Sequence, residues 1–324
     1  MSDLTFNILR NLSDGKFHSG QTLAQQFRVS RATVWSAIQQ AEALGVRIFA
    51  VRGRGYQLSQ AAMLLDATEI KRLLPSHFDM NIVVLDTVES TNTYCMQRMR
   101  ELPHATCVAA NVQTAGRGRR GRAWVSQLGA SLTFSLVWRF DCGAAALSGL
   151  SLAVGLGIAR GLQQLGVAAQ LKWPNDVLVQ NKKLAGVLIE LQGDMDGPST
   201  AVIGVGLNVR LNADLQANID QPATDLAQQG LEIDPNLLLS LLLQQLQTVL
   251  QQFTDKGFAS LRDEWHSFHA HQHQTVQLLQ ANGASQTGQC MGVTDDGTLL
   301  LQTLDGLQKF ASGEVSLRGV NSCY

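Results

Sequence analysis

Two stretches of this chain bring together residue types that handle anions. Gly116-Arg117-Gly118-Arg119-Arg120-Gly121-Arg122, followed by Ala123-Trp124, puts four guanidinium groups among three glycines. Arginine's planar fork matches phosphate and carboxylate oxygens, and glycine loses much conformational freedom on ordering. Neighbouring guanidinium groups repel, so the loop is expected to be mobile until an anion neutralises it; a solvated basic surface loop is the plain alternative. In Leu171-Lys172-Trp173-Pro174-Asn175-Asp176, proline fixes a turn around which Lys, Asn and Asp can converge on one spot. Lys183, after a polar turn at Asn181-Lys182, adds a cation expected to be exposed. Ser90-Thr91-Asn92 closes the run Asp86 to Asn92 at a strand-to-helix turn. Its hydroxyls, amide and free helix-start N–H groups can grip a polar ligand head, or merely cap the helix.

Other patterns carry less. Gly116, Gly118 and Gly121 spell a dinucleotide fingerprint, with Asp141 twenty residues on. That fingerprint must open a crossover helix, whereas Leu132 to Trp138 alternates like a strand. Without Gly-Lys-Ser/Thr a P-loop is excluded as well. His266, His269, His271 and His273 have helical spacings, but neither His-Glu-x-x-His nor a nearby cysteine supports a metal site. They read as an exposed helix end at a domain boundary.

The elements that must position these groups fall into three blocks. Helices are expected over 4–12, from Ser19 to about Phe27, and over 31–44, with Ser30 capping the last and Gly45 closing it. A strand at 46–51, the turn Arg52-Gly53-Arg54-Gly55 and Tyr56-Gln57-Leu58 complete a winged helix-turn-helix. Ser30, Arg31, Thr33, Trp35, Arg52 and Arg54 are its candidate DNA contacts. Residues 1–60 carry +4 and the remainder −5, which places nucleic-acid binding at one end. The connector 61–66 and a short helix at 67–74 lead to strands at 82–85 and 106–111, with a helix at 92–100 between them. Beyond the basic loop come a strand at 132–138, a helix at 144–165, a hairpin over 177–191 and a strand at 202–209. In that last strand Gly204 and Gly206 alternate, allowing close approach to the sheet face. Helices at 236–253 and 261–272 follow. Asn282-Gly283, Asp296-Gly297 and Asp305-Gly306 then signal hairpins of a small β-barrel.

With 324 residues, 45% of them hydrophobic and 16% charged, the chain has room for two or three packed domains. Five scattered cysteines without Cys-x-x-Cys fit a reducing compartment. The start Met-Ser-Asp-Leu-Thr-Phe lacks signal-peptide character, so a cytoplasmic location is expected. The uncharged run 142–159 contains too many glycines and serines for a membrane span and is expected to be a buried helix.

In order along the chain, the helix-turn-helix, Ser90-Thr91-Asn92, Gln113, the basic loop, Lys172-Trp-Pro-Asn-Asp176, Lys183-Leu-Ala-Gly186 and Gly204-Val-Gly206-Leu-Asn208 resemble the bacterial bifunctional biotin–protein ligases and biotin-operon repressors. The resemblance implies an α/β (α+β) architecture: a winged helix over 1–62, a mixed ligase domain of the class II synthetase-like type over 63–270, and an SH3-like barrel over 271–324. It implies ATP-dependent activation of biotin to biotinyl-5′-AMP, with Mg²⁺ on the phosphates, and transfer to a lysine of the carrier subunit of acetyl-CoA carboxylase. Ser90, Thr91, Asn92, Gln113, Arg117, Gly118, Arg119, Lys183, Gly186, Gly204 and Gly206 would hold biotin. Arg119, Arg122, Trp124, Lys172, Asn175, Asp176, Asn208 and Ala223 would hold the nucleotide, with Lys183, Arg119, Lys172 and Asp176 serving the chemistry. No resident metal is implied. A homodimer controlled by the ligand, with operator DNA as its second partner, would give repression, pairing loops such as 141–146 and 193–198. Asp225 stands where the family's adenylate loop has serine, and Ala223 where some members carry tryptophan. A lipoate–protein ligase and a non-catalytic sensing repressor are the rival readings.

Overall fold

Helix α1 (Asp3–Leu12), α2 (Gly20–Gln26) and α3 (Arg31–Ala43) lead into a hairpin of β1 (Ile48–Val51) and β2 (Gly55–Leu58). The computed structural model describes residues 3–58, 64–193, 196–280, 284–311 and 315–319. Ser19 and Ser30 cap α2 and α3 by accepting the N–H groups of Thr22 and Thr33, as their sequence positions require. Phe6, Leu9, Leu12, Leu23, Val34 and Ile38 fill the core of this winged helix. That core is not self-contained, because Leu64, Val112 and Leu128 of the following block pack into it. Arg10 also grips Asp86 through two hydrogen bonds of 3.2 and 2.5 Å. Of the connector, residues 61–63 lie outside the described residues. Its end is pinned: Leu65 N donates to Asn111 Oδ1 at 2.9 Å and Asp66 N to Asn236 Oδ1 at 2.8 Å.

The second block runs α4 (Ala67–Leu73), β3 (Asn81–Val88), α5 (Thr91–Gln97), β4 (Thr106–Gln113), β5 (Ser131–Phe140), α6 (Leu150–Gln164), β6 (Gln170–Lys172), β7 (Asp176–Val179), β8 (Lys182–Gly193), β9 (Ser199–Asn208), α7 (Ala213–Ala217) and α8 (Pro235–Lys256). Its seven strands take the order β3-β4-β5-β9-β8-β7-β6, antiparallel except for β3 and β4. Alternation gives the sheet two unlike faces. Leu132, Phe134, Leu136, Ile203, Val205 and Val187 turn to one side and join α6 and α8 in the main core. Thr133 and Ser135 on β5 stand beside Gly206 and Gly204 on β9, which in turn neighbour Gly186 and Leu188 on β8. That opposite face is small and polar, and α5 covers one part of it through Cys95, Met99, Val108, Val137 and Val202.

The expected helix at 144–165 is broken. A 3₁₀ turn at Ala144–Leu147 precedes Gly149, whose φ of +83° starts α6 anew. The segment Ala144–Gln164 is long and apolar enough to cross a membrane by length and composition. Here it is a core helix, since Gly157 and Gly161 let it lie directly against Leu246 and Leu242 of α8.

After α9 (Arg262–Phe268), strands β10 (Thr275–Gln280), β11 (Ser285–Val293), β12 (Leu299–Thr303), β13 (Gly306–Phe310) and β14 (Val315–Gly319) form an antiparallel sheet in the order β13-β12-β11-β10-β14. The Asp296-Gly297 and Asp305-Gly306 turns fall where expected; Asn282-Gly283 lies outside the described residues. This unit shares its core with the block before it: Val276, Leu278, Cys290, Val293, Leu299 and Leu301 join the main cluster.

The histidine segment differs from expectation. Helix α9 ends at Phe268, and His269 and His271 are buried instead of exposed. Ala270 N donates to Leu171 O, so the segment runs beside β6 and is drawn inward. His269 stacks on Trp265 with ring centroids 4.5 Å apart, and burial lowers its pKa from 6.5 to about 4. No group of three potential metal ligands exists among the described residues. Because the folded state resists protonating His269, its stability should be complete above the unfolded pKa of 6.5 and fall as pH drops from there to about 4. The loss should approach 3 kcal/mol for this group, which is about the size of the shift. Urea midpoints measured between pH 7.5 and 4.5 should show it, and His269→Gln should flatten the curve; an equally steep curve in that variant would assign the acid sensitivity elsewhere.

Candidate active site

The small, polar face of the sheet carries two adjoining cavities. The smaller is lined by Ser90, Thr91, Asn92, Gln113, Arg117, Gly186, Gly204 and Gly206 among others. The larger is lined by Arg122, Lys172, Asp176, Asn208, Ala223 and the segment Asn218 to Gln221, among others. Gly118, Arg119, Trp124, Asn175 and Lys183 line both. The residues named from the sequence for one ligand all border the smaller cavity, and those named for the other all border the larger.

At the smaller cavity, Ser90 caps α5, and Thr91 and Asn92 occupy its first turn. All three are buried, as is Gln113 at the end of β4. Gln113 Oε1 accepts from Thr91 N at 2.7 Å and from Thr91 Oγ1 at 3.1 Å. Ser135, which sequence reasoning missed, lies 2.7 Å from Thr91 Oγ1 and 2.6 Å from Asn92 Oδ1. A Cβ at Gly204 would strike the Asn92 amide, and one at Gly206 the Trp124 indole. The alternate glycines therefore admit these two side chains to the sheet surface. Trp124 Nε1 is buried there without a hydrogen-bond partner, a donor with nothing yet to donate to.

The basic loop is a short hairpin in which Trp124 N donates to Gly116 O at 2.9 Å and Gly118 N to Arg122 O at 2.7 Å. Its glycines differ in purpose. Gly116 is required by the nearby Trp124 carbonyl and Gly121 by a φ of +72°, whereas a Cβ at Gly118 would make only ordinary contacts. Protein groups, and not ligand anions alone, offset the loop's charge. Arg117 forms an ion pair with Glu190 at 2.9 Å, and Arg119 Nη1 donates to Asn175 Oδ1 at 3.2 Å. Burial, reinforced by Arg120 and opposed by Asp176, lowers the Arg119 pKa below its usual value.

Lys183 is not the exposed turn residue its flanks suggest. Its Nζ lies 2.6 Å from Asp176 Oδ1, and both side chains are largely buried. Its backbone is clamped on both sides, with Lys183 N donating to Pro222 O and Thr224 N to Lys183 O, each at 2.9 Å. Asn208 Nδ2 reaches Thr224 O at 3.0 Å and Lys183 O at 3.3 Å, which explains how Asn208 and Ala223 come to the site. Asp225, buried, caps the following turn through Gln228 N and holds Leu211 N; its role is to shape the loop. Trp173 is fully buried, and its Nε1 donates to Gly297 O at 3.1 Å. The carboxy-terminal sheet thereby supports the turn that presents Lys172, Asn175 and Asp176.

At the other end of the molecule, Arg31, Thr33 and Trp35 project from the exposed side of α3, Trp35 being 58% accessible. Ser30 and Thr33 are also bound to each other in the cap. On the wing, Arg52 is exposed and Arg54 lies 4.1 Å over the Phe17 ring.

A cation-ringed junction between two cavities, on a mixed sheet that also carries a winged helix, defines an acyl-activating ligase fold fused to a DNA-binding module. Family models agree for each block: an HTH domain over residues 5–57, the biotin/lipoate A/B protein ligase family over 84–208, and the biotin protein ligase C terminal domain over 274–318. Among relatives, the bifunctional ligase/repressor BirA of Salmonella typhimurium is 36% identical over 98% of this chain and 99% of its own length. That of Escherichia coli is 35% identical, covering 96% of each. The biotin protein ligase from Aquifex aeolicus, in complex with biotin and ATP, superposes with a TM-score of 0.63 at 31% identity, over 75% of this chain and all of its own. The chain belongs to the family of bifunctional ligase/repressor BirA proteins.

Because Trp124 lies against Gly206, Gly206→Ala should force the indole off the sheet. Overpacking of this kind should weaken ligand binding by roughly tenfold, and tryptophan emission should shift. Titration with biotin and ATP, followed by fluorescence, would detect it; unaltered affinity would mean Trp124 can move without consequence.

Proposed function

We propose that this protein activates biotin with ATP and transfers it to a lysine of a biotin carboxyl carrier protein, and that it represses transcription through its winged helix with the activated intermediate as signal. The observation that carries the reading is the shared wall of the two cavities, where Arg119, Lys183 and Trp124 stand between the biotin-type pocket and the nucleotide-type pocket. Support also comes from the relatives' names as ligase and repressor and from the Aquifex aeolicus ligase holding biotin and ATP. A lipoate-type ligase is not favoured, because full-length similarity runs to ligase/repressors.

In the proposed reaction a biotin carboxylate oxygen attacks the α-phosphorus of ATP and pyrophosphate leaves. A carrier lysine amine then attacks the acyl carbon, and AMP leaves with the bonding pair. Two anions must meet in the first step, so positive charge and water exclusion matter more than an acid–base pair. Lys183 and Arg119 supply charge at the junction, and Lys172 supplies it along the larger cavity. Asp176 holds Lys183 in place through their ion pair. Ser90, Thr91, Asn92 and Gln113 take the ureido head, whose donors and acceptors suit their hydroxyls and amides. Trp124, Ala223 and Asn218 to Gln221 all border the larger cavity, the space for adenine. If Mg²⁺ came with the triphosphate, Asp176 and Asp220, the carboxylates on that cavity wall, would be the groups to hold it, and it would neutralise phosphate charge.

The same reading assigns residues 1–62 to DNA, 63–270 to ligation and 271–324 to support of the Lys172–Asp176 turn. A homodimer is proposed because a lone winged helix reads few base pairs, and a two-fold pair on a palindrome gives specificity. Ordering of the basic loop by ligand would favour pairing through 141–146 and through 193–198, of which 194–195 lie outside the described residues.

Lys183→Ala should reduce biotin-dependent ATP–pyrophosphate exchange by about 10²–10³, the loss typical of one preorganised donor. It also strands the buried Asp176 carboxylate, so Lys183→Ala/Asp176→Ala should restore the melting temperature without restoring exchange. Exchange near the wild-type rate in a folded variant would remove Lys183 from the site. For the other function, operator affinity should fall steeply between 50 and 200 mM salt, by about 10³ if six phosphates are contacted. Arg31→Ala and Arg52→Ala should each flatten the slope, as gel-shift titration would reveal; slopes unchanged in both would place the DNA elsewhere.

A further inference from the structure

Strand β8 carries a carboxylate, Glu190, on the same face as Gly186 and Leu188. Both of its oxygens are engaged. Arg117 Nη2 donates to Oε1 at 2.9 Å and Arg117 Nη1 to Oε2 at 3.2 Å. Asn92 Nδ2 donates to the same Oε2 at 3.0 Å. One side chain therefore ties the basic loop above the smaller cavity to the amide that lies on its floor against Gly204. Arg117 borders the smaller cavity alone, whereas Arg119 borders both. Their tasks must differ. Both terminal nitrogens of Arg117 are paired to one carboxylate, and Nη1 is also 3.4 Å from Thr93 Oγ1; a two-point pair fixes direction as well as distance.

Resting on the ligase reading above, we propose that Glu190 is a positioning residue, a latch that holds the basic loop shut over the biotin-type cavity by gripping Arg117. Arg117 is then an anchor of the loop and not a phosphate ligand. The latch is suited to opening. Arg117 is 48% accessible and Glu190 23%, and ion pairs with that much solvent contribute little net free energy. Ligand entry and arrival of an acceptor lysine both require the loop to lift. A fully buried pair would hold it too long, and no pair would let the reactive intermediate diffuse out. Because Asn92 shares the carboxylate, whatever Asn92 binds on the floor of the cavity is linked to the acceptor of the latch.

The glutamine variant separates the two contacts, since Glu190→Gln keeps an acceptor for Asn92 but loses the charge that binds Arg117. The experiment forms radiolabelled biotinyl-AMP on the full-length enzyme and chases it with unlabelled intermediate, comparing wild type, Glu190→Gln, Arg117→Gln and the double variant. Labelling of a bystander protein and melting temperature are recorded in parallel. Glu190→Gln and Arg117→Gln should each speed release by roughly two- to fivefold, the scale of one partly exposed ion pair. The double variant should release no faster than either single one, and bystander labelling should rise in proportion. Glu190→Ala should in addition raise the KM for biotin, because Asn92 Nδ2 loses the nearer of its two acceptors and keeps only Leu188 O. Release from Glu190→Gln at the wild-type rate, or effects of the two single changes that simply add, would overturn the latch. A wild-type enzyme that forms no bound intermediate would instead overturn the ligase reading itself.

Discussion

Close approach to the sheet governs the rest of the site. Over the central strands β5, β9 and β8, two bulky groups, the Asn92 amide and the Trp124 indole, lie where side chains of the strands would ordinarily stand. That is possible only because Gly204 and Gly206 have no Cβ, and because Ser135, Thr133 and Gly186 beside them are small. Glycine weakens a strand interior, and here the loss is offset from behind. The opposite face is fully apolar and packed against α6 and α8, so the sheet keeps its shape while one side is hollowed. The two cavities are the space so created, and Gly118 and Arg119 of the basic loop border both.

Much of this was legible in the sequence, for reasons that can be stated residue by residue. Ser19, Ser30 and Ser90 marked helix starts because a cap requires a short oxygen at one position, and local chemistry of that kind survives any tertiary context. Alternate glycines at 204 and 206 marked close approach, though not what would approach. The sequence order of the Lys172–Asp176 turn, Lys183 and the arginines indicated one site, and the sheet register brings them to it. Other features depended on contacts between distant parts of the chain. Lys183 looked exposed because its neighbours are polar; Asp176 and the strand-like segment Pro222 to Thr224 cover it. His269 looked like a solvated helix end, but a backbone hydrogen bond between Ala270 and Leu171 carries the segment inward. Glu190 gave no local signal, being one charge at the end of an apolar strand whose partner sits seventy-three positions earlier.

The third block shows the same limit. Hairpin turns at Asp296-Gly297 and Asp305-Gly306 announced a small β-barrel but gave no sign of what it packs on. Its core is continuous with that of the ligase sheet. Gly297, at a φ of +79°, offers its carbonyl to Trp173 and sits against Gly149 at the start of α6. A tryptophan in a turn that borders the larger cavity invites a role in binding. This one is a structural peg, fully buried and bonded to Gly297 O.

The root of the winged helix is held as firmly as its body. Asn111 and Asn236 fasten the chain at Leu64 to Asp66, Arg10 is clamped to Asp86, and Val112 and Leu128 are shared with the small domain's core. A module fixed at so many points does not swing on a tether. In the proposed pair of chains, the separation of the two recognition helices and their rotation about the DNA axis would be set by the bodies themselves. Such a reader measures helical phase. An operator lengthened by half a turn would present its second half-site on the far side of the duplex, where the other helix could not follow.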